Sequence, residues 1–216
     1  KPEKINSRLA SESALSSHIL ASIAGTFTKN NVELMDFLKK TFFAHQEGTD
    51  SLTTITNKIV DFLKDEEMVS DKRGLVATRF GRRVSDLYID PLTGVIMRDA
   101  LHQPQEKESF SHFHMIAHTP DMMTLQLRKK DYEEMVDVYH AHADGLLIPN
   151  GGKYPSEEIL SEIKTASLLM RWIDETPEDT LVGNFGVGPG DLRTLVELSE
   201  WLLYSAGEIG KIFGLK

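Results

Sequence analysis

The feature that most constrains the fold is a long amphipathic pattern near the end of the chain. From Asp191 to Phe213, apolar side chains recur at intervals of three and four residues, which is the repeat of one helix face. The pattern therefore predicts a single helix over about 190–213. Its apolar stripe consists of Leu192, Leu195, Val196, Ser199, Leu202, Leu203, Ala206, Ile209 and Phe213.

Trp201 lies away from this stripe. At 3.6 residues per turn it projects about 150° from the stripe centre. An indole on a polar face gains nothing from the core of its own helix, so it must pack on another element or on a ligand. Two interpretations stay open: burial against a neighbouring helix, or stacking on nucleic-acid bases, which an indole beside a guanidinium suits. Its neighbours on the outer face are Arg193, Thr194, Glu197, Tyr204 and Glu208.

The charge of the chain limits how it could bind nucleic acid. The net charge of −9 argues against a general affinity for a polyanion. Residues 1–100 carry 14 basic and 14 acidic side chains, whereas residues 101–216 carry 10 and 19. Any nucleic-acid contact in the second half must therefore be local and depend on geometry.

The absence of certain residue types and motifs from the sequence excludes several classes of protein. The sequence contains no cysteine, which rules out disulfides, thiolate metal sites and cysteine nucleophiles. It has no apolar run near the roughly 20 residues that span a bilayer and no signal peptide, so we expect a cytoplasmic protein without membrane contact. The phosphate-binding pattern G-x-x-x-x-G-K-[ST] does not occur, so hydrolysis of ATP by that route is not expected.

The first ninety residues predict a winged helix. A helix begins at Ser11 or Ser13 and ends near residue 25, and a short extended segment follows at 26–28. A second helix, capped by Asn31, continues through Phe43, and a third ends near residue 67. Two apolar runs around the turn at 70–74 then form a hairpin. This order is that of a helix-turn-helix variant with a wing.

The rest of the chain predicts a helical bundle over 91–216. Helical patterns in this bundle cover about 91–100, 110–119, 131–144, 156–174 and 190–213, separated by loops at 102–109 and around Pro120, Pro149–Gly152 and Pro177. A further helical pattern at about 80–89 lies at the end of the winged helix. The predicted fold class is mainly α, with a winged helix and small β-hairpin wing at 1–90 followed by this bundle.

Two basic or polar surfaces of the winged helix bear on nucleic-acid binding. The wing and the segment after it could contact phosphates, or could form salt bridges or be solvated; they hold Lys72, Arg73, Arg79, Arg82 and Arg83. The third helix would read bases in a transcription factor. Its outer face mixes two lysines with several carboxylates, which argues against a sequence-specific regulator; it offers Thr53, Thr54, Thr56, Asn57, Lys58, Asp61, Lys64 and Asp65.

The histidines are the main indication of an enzyme or a metal site. His114 and His118 are four residues apart, a spacing at which two rings can share a metal ion. The zinc-protease form of this motif needs a glutamate after the first histidine, and Met115 stands there. Packing and interhelical hydrogen bonds are the favoured interpretation for these two residues and for His112, so we assign no catalytic residue and no metal ligand.

The segment GVGPGDLR, from Gly186 to Arg193, precedes the long helix. Glycines and a proline before a helix allow its first N–H groups to approach a phosphate closely. Asp191 suits the helix dipole but repels phosphate. A tight turn between two helices is the alternative interpretation.

Several stretches, taken together and in their order along the chain, resemble archaeal DNA-repair helicases related to HelQ, in the Ski-two-like group of superfamily 2. They are RLASESALSSHILASIAGTF, FGRRVSDLYIDPLTG, HFHMIAHTPDM, RKKDYEEM, GLLIP and FGVGPGDLRTLVELSEWLLYSAGEI. The resemblance implies a winged helix and a bundle whose long "ratchet" helix crosses the single strand. Lys1 is not a methionine and the last helix reaches nearly to Lys216, so we expect a piece of a longer protein, with a trimmed complete protein as the alternative.

The resemblance also implies functional residues and partners. The tryptophan of the family's ratchet helix corresponds to Trp201. Its basic partner corresponds to Thr194 at a seven-residue spacing, or to Arg193 from about 80° around the helix. ATP and magnesium would bind RecA-like motor domains outside this chain, and none is expected here.

The resemblance therefore favours a DNA-binding and coupling module of an ATP-dependent helicase with 3′-to-5′ polarity, acting on single-stranded or forked DNA as a monomer. The site residues would be Trp201, Arg193, Thr194, Lys72 and Arg73, and the fragment alone would be inactive as an enzyme. The alternative is a winged-helix module that docks proteins without touching DNA.

Overall fold

A computed structural model of the chain describes residues 7, 9, 11–47, 49–72, 74–104, 108–148 and 154–215, with the backbone alone at Glu47, Thr49 and Asp50. Within these ranges the protein is helical apart from one two-stranded antiparallel sheet, which confirms the predicted fold class. The chain forms two compact units, Lys1–Val95 and Ile96–Lys216.

The first unit is built around its first helix. Buried Leu15, Ile19 and Ile23 of α1 pack it against α4, α5 and β2. In the hairpin Val69 lies opposite Ala77, and Ser70 lies opposite Val76. The elements are α1 (Glu12–Ala24), α2 (Asn31–Leu38), α3 (Phe42–Glu47), α4 (Thr49–Asp65), β1 (Val69–Ser70), β2 (Val76–Ala77) and α5 (Arg79–Asp86), followed by α6 (Pro91–Leu101).

Side-chain caps place the helix starts close to where the sequence predicts them. The Ser11 hydroxyl accepts a hydrogen bond from the Ala14 N–H at 3.3 Å, and the Asn30 side chain accepts one from the Glu33 N–H at 2.9 Å. The cap of α2 is therefore Asn30, one residue before the predicted Asn31. A close approach then positions α5, because a Cβ at Gly81 would lie 2.0 Å from the Met68 carbonyl oxygen.

Two sequence predictions for this unit are wrong. The helix expected from Asn31 through Phe43 is interrupted, because the Thr41 hydroxyl donates to the Leu38 carbonyl at 2.7 Å and accepts from the Ala44 N–H at 3.3 Å. One side chain thus ends α2 and begins α3. The segment expected to be extended at 26–28 instead begins with a turn at Gly25 and Thr26, where Thr26 has a φ of 60°, and a bend at Phe27.

The second unit is a bundle around α9. This helix packs against α7, α8 and α10, and α11 packs against α7 and α10. The elements are α7 (Ser109–Ala117), α8 (Tyr132–His142), α9 (Glu157–Ile173), α10 (Glu178–Phe185) and α11 (Pro189–Phe213). The helix α10 was not predicted, because its eight residues lie in a segment whose sequence predicts a linker. A helix this short depends on packing more than on local propensity, and it buries Leu181 and Phe185.

The long helix has the predicted position and the predicted buried stripe. Proline at its first position and Gly188 before it begin α11, and left-handed Gly214, with a φ of 71°, ends it. Most of the stripe is buried, namely Leu192, Leu195, Ser199, Leu202, Ala206 and Ile209, whereas Val196, Leu203 and Phe213 are half-buried.

Candidate nucleic-acid interface

Trp201 lies at the border between the packed and the exposed sides of α11. Its side chain is half-buried, whereas Glu197, Glu200 and Tyr204 are exposed. The expectation that Trp201 lies on the polar outer face is therefore correct only in part, because part of its side chain is buried. Ser205, one turn further along, is completely buried, so the packed surface of the helix extends round to the position of Trp201.

Thr194 and Arg193 are both exposed but occupy different positions around α11. Thr194 precedes Trp201 by seven residues, which places the two within about 20° on the helix circumference. Its hydroxyl donates to the Gly190 carbonyl at 3.1 Å. Arg193 lies about 80° away from Trp201, so the residue in line with the indole is the threonine.

Arg193 lines an open cleft of about 560 Å³, which we call the α9–α11 cleft. The cleft lies where the end of α9, the start of α10 and the first three turns of α11 meet. Leu192 and Val196 form its apolar part, Trp172 contributes an indole that is 37% exposed, and the acidic residues are Glu178, Glu197 and Glu200. The structure thus brings Arg193 together with Trp172. Trp172 was not among the predicted site residues, although a tryptophan two residues before the end of the predicted helix at 156–174 was a usable signal.

A buried ionic network supports the turn that leads into α11. The Lys164 ammonium, 2% exposed, donates to Asp131 Oδ2 and to the Gln126 carbonyl, each at 2.7 Å. Arg128 donates through Nε to Asp131 Oδ2 at 2.8 Å and through Nη2 to Oδ1 at 2.9 Å. The hydrogen bond from Arg128, together with that from Lys164, holds the pKa of Asp131 well below its usual range despite burial.

The same arginine reaches the end of α10. Its Nη2 donates to the Asn184 carbonyl at 2.5 Å, two residues before the left-handed Gly186, whose φ is 66°. A Cβ at Gly186 would lie 1.9 Å from Arg128 Nη1. The glycine-rich segment before α11 therefore serves as a tightly packed helix-to-helix turn, which was the alternative interpretation of its sequence.

The histidines of α7 bind a carboxylate of α9. Glu162 lies 3.3 Å from His114 Nε2 and 3.1 Å from His118 Nδ1. Burial opposes ionisation of Glu162, but the hydrogen bonds from both rings outweigh it and lower its pKa, and the bond to Glu162 raises the pKa of His118. These are the interhelical hydrogen bonds that the packing interpretation expected. His112 instead faces the Glu108 carbonyl at 2.9 Å. Within the described ranges, no group of three His, Asp or Glu side chains could hold a metal ion.

The structure describes some, but not all, of the basic residues predicted to contact nucleic acid in the first unit. Lys72 is exposed on the wing, and Arg73 lies outside the described residues. On α4, Lys64 is bound to Asp71 at 3.0 Å, and Thr56 is buried rather than on the outer face, because it lies one turn from Leu52 and Val60 in the packed stripe. The outer face of α4 therefore offers fewer polar groups for contacts with bases than the sequence predicts. Across the described part of the chain, none of the helices has the length and apolarity that crossing a membrane requires.

Comparison with known proteins gives matches along nearly the whole chain. Residues 110–216 match the family described as archaeal helicase, domain 4, and residues 1–70 match a helix-turn-helix domain family. Three relatives named ATP-dependent DNA helicase Hel308 come from Thermococcus kodakarensis, Methanocella arvoryzae and Pyrococcus abyssi. Their sequences are 39%, 35% and 38% identical to this one over 99%, 99% and 98% of its length. The chain spans 20%, 30% and 30% of these relatives, respectively.

Proposed function

The chain belongs to the family of Hel308-like archaeal helicases, and from this premise we propose that it couples ATP-driven motor domains to a DNA single strand that moves with 3′-to-5′ polarity. In this proposal Trp201 stacks on a base and holds the strand between motor strokes. Single-stranded or forked DNA in repair and replication-fork processing is the substrate. ATP and magnesium act on motor domains outside these 216 residues, since the chain itself lacks the P-loop pattern.

The observation that carries this proposal is the half-buried state of Trp201. A stacking platform needs one part of its ring held by the protein and another part open to the base, because an indole fixed in advance loses less entropy on binding. The half-buried side chain of Trp201, at the border of the packed surface of α11, supports a platform of this kind. Thr194, two turns earlier on the same line, is exposed and small enough to let a strand pass.

The charge around Trp201 decides which contribution dominates. Glu197 and Glu200 are exposed on the same helix, so phosphates gain little there. Base stacking contributes about 1–3 kcal/mol per base and does not need a basic surface. The 216-residue chain therefore binds single strands weakly and with a shallow salt dependence, and the motor domains supply most phosphate contacts.

Fluorescence of the two tryptophans tests the proposal. In a Trp172→Phe variant, emission reports Trp201 alone, and titration with oligothymidine at low salt should quench it. In the matched Trp201→Phe variant, emission reports Trp172 and should change little. Unchanged emission from Trp201 at high micromolar oligothymidine would overturn the stacking role.

The second candidate function is a winged-helix module that docks proteins and makes no DNA contact. The observation in its favour is the surface of α4, where Lys64 is bound to Asp71 and the exposed Asp61 and Asp65 repel phosphates. If this candidate is right, neither tryptophan responds to oligothymidine. The first proposal also includes a cytoplasmic location and a monomeric state. Sedimentation of the chain tests the monomeric state.

A further inference from the structure

The α9–α11 cleft has a charge that disfavours nucleic acid. Three glutamates, Glu178, Glu197 and Glu200, line it together with a single cation, Arg193. It lies in the half of the chain where acidic side chains outnumber basic ones by 19 to 10. A phosphodiester entering the cleft would meet an excess of negative charge, with no counterions to release from a basic surface.

The chemistry of the lining fits a cationic side chain instead. The methylene stem of a lysine or arginine could lie over the half-buried Val196, which is the accessible apolar part of the cleft on α11. The charged head group would then meet the face of the Trp172 indole and the surrounding carboxylates. Such a site combines cation–π attraction with charge-assisted hydrogen bonds, and each favours a cation over a neutral or anionic group.

The shape of the cleft leaves room for a peptide backbone. Gly190 lies at its edge, and a Cβ added there would meet nothing within 4 Å. Trp172 and the next residue, Ile173, are 37% and 52% exposed, so the apolar surface continues beyond the cleft. Exposed apolar surface rimmed by charged residues is typical of a protein-docking site.

The cleft is separate from the proposed DNA contact on the same helix. Val196 and Trp201 are five residues apart and project about 140° from each other around the helix axis. The apolar centre of the cleft and a base on Trp201 would therefore lie on opposite flanks of α11, whereas Glu197, one turn before Trp201 and about 40° from it, borders both. Each contact can be removed without removing the other.

We propose that the α9–α11 cleft docks a lysine- or arginine-bearing segment of a partner protein, with Trp172 receiving the cationic side chain and Glu197 and Glu200 pairing with it. Trp172 can be removed from this docking site without removing Trp201 from the proposed DNA contact. It places the partner directly against the first three turns of α11.

The test uses the 216-residue chain and a fluorescein-labelled peptide, Gly-Ser-Lys-Arg-Gly-Lys-Arg-Ser-Gly, with fluorescence anisotropy as the readout. The double variant Glu197→Gln/Glu200→Gln should weaken peptide binding roughly ten-fold or more, because both charge partners are removed. Trp172→Ala should weaken it several-fold through loss of the cation–π contact. The matched control, Glu157→Gln/Glu158→Gln, removes the same charge from exposed positions at the start of α9 and should change affinity less than about two-fold.

Three results would overturn the proposal. Equal weakening by the two double variants would mean that the peptide follows net charge alone. A response of Trp172 emission to oligothymidine, in a Trp201→Phe background, would assign the cleft to a nucleobase. Self-association in sedimentation that Trp172→Ala abolishes would assign it to a second copy of this chain. The Trp201→Ala variant should lose DNA binding but keep its affinity for the peptide. The docking proposal and the DNA-binding proposal can therefore be contradicted independently of each other.

Discussion

A partly accessible tryptophan lies at each of the two flanks of α11, Trp201 on α11 itself and Trp172 on α9, yet the flanks favour different ligands. On one flank Trp201 is half-buried and aligned with the small Thr194. On the other, Trp172 meets α11 across a cleft with three glutamates and Arg193. An indole by itself therefore does not specify a ligand. The charges and the space beside it decide between a base, which needs an open face, and a cation, which needs carboxylates.

The largest expected effect comes from breaking the buried ionic network that supports the turn leading into α11. Asp131→Ala leaves the buried Lys164 ammonium without its carboxylate, which should lower the free energy of unfolding by about 3–5 kcal/mol. Urea unfolding measures the change, and the exposed neighbour Glu133→Gln should stay within about 0.5 kcal/mol of the parent. A loss below about 1 kcal/mol would show that the network does not hold the bundle together.

The second prediction separates the flanks by their ligands. Trp201→Ala should weaken oligothymidine binding about 5- to 150-fold, which corresponds to the loss of about 1–3 kcal/mol of stacking. Trp172→Ala should leave that affinity within about two-fold, because its cleft repels phosphates. Equilibrium titration at low salt gives both values, and equal losses in the two variants would erase the distinction between the flanks.

The third prediction concerns the turn that sets the position of α11. Gly186→Ala must accommodate a φ of 66° and a Cβ 1.9 Å from Arg128 Nη1, which should cost about 1–2 kcal/mol of stability. The emission of Trp172 should shift more than that of Trp201, since the turn lies beside the cleft. Gly183→Ala is the matched control in α10: its Cβ would meet nothing within 4 Å, so it should stabilise the protein by about 0.5–1 kcal/mol.

The smallest expected effect lies at the contact between α7 and α9. The raised pKa of His118 contributes stability that is fully present below its unfolded value near 6.5 and is lost as pH rises through the folded value. The lowered pKa of Glu162 contributes stability that is present above 4.5 and is lost as pH falls through the folded value. His118→Gln should therefore cost most between about pH 4.5 and 6.5, and less at pH 8.

His118 is 35% exposed, so solvent screening limits this cost to less than about 1 kcal/mol. Urea unfolding at pH 5.5 and pH 8 measures it. Neither tryptophan flank should respond in its ligand assay, and a change in oligothymidine or peptide binding would show that the α7–α9 contact is coupled to α11.

Local patterns account for what could be predicted. Four predicted features depend on neighbouring residues, and each is present in the structure: the apolar repeat of α11, the cap at Ser11, the hairpin and the helix that begins at residue 91. The errors lie where one side chain or a distant partner outweighs the pattern. Thr41 divides a continuous apolar repeat into two helices, and α10 forms in a predicted linker because the bundle buries its two large side chains.

The sequence alone indicates most of the helices, the wing, the acidic second half and the position of Trp201 on a long amphipathic helix. It also contained the stretches on which the family resemblance depends. Tertiary structure alone decided that Trp201 is half-buried, that Arg193 shares a cleft with Trp172, and that Arg128 reaches from the start of α8 to the turn before α11. The physical reason is that burial and charge pairing depend on which distant segments meet in space, whereas periodicity and capping depend on residues within a few positions of each other.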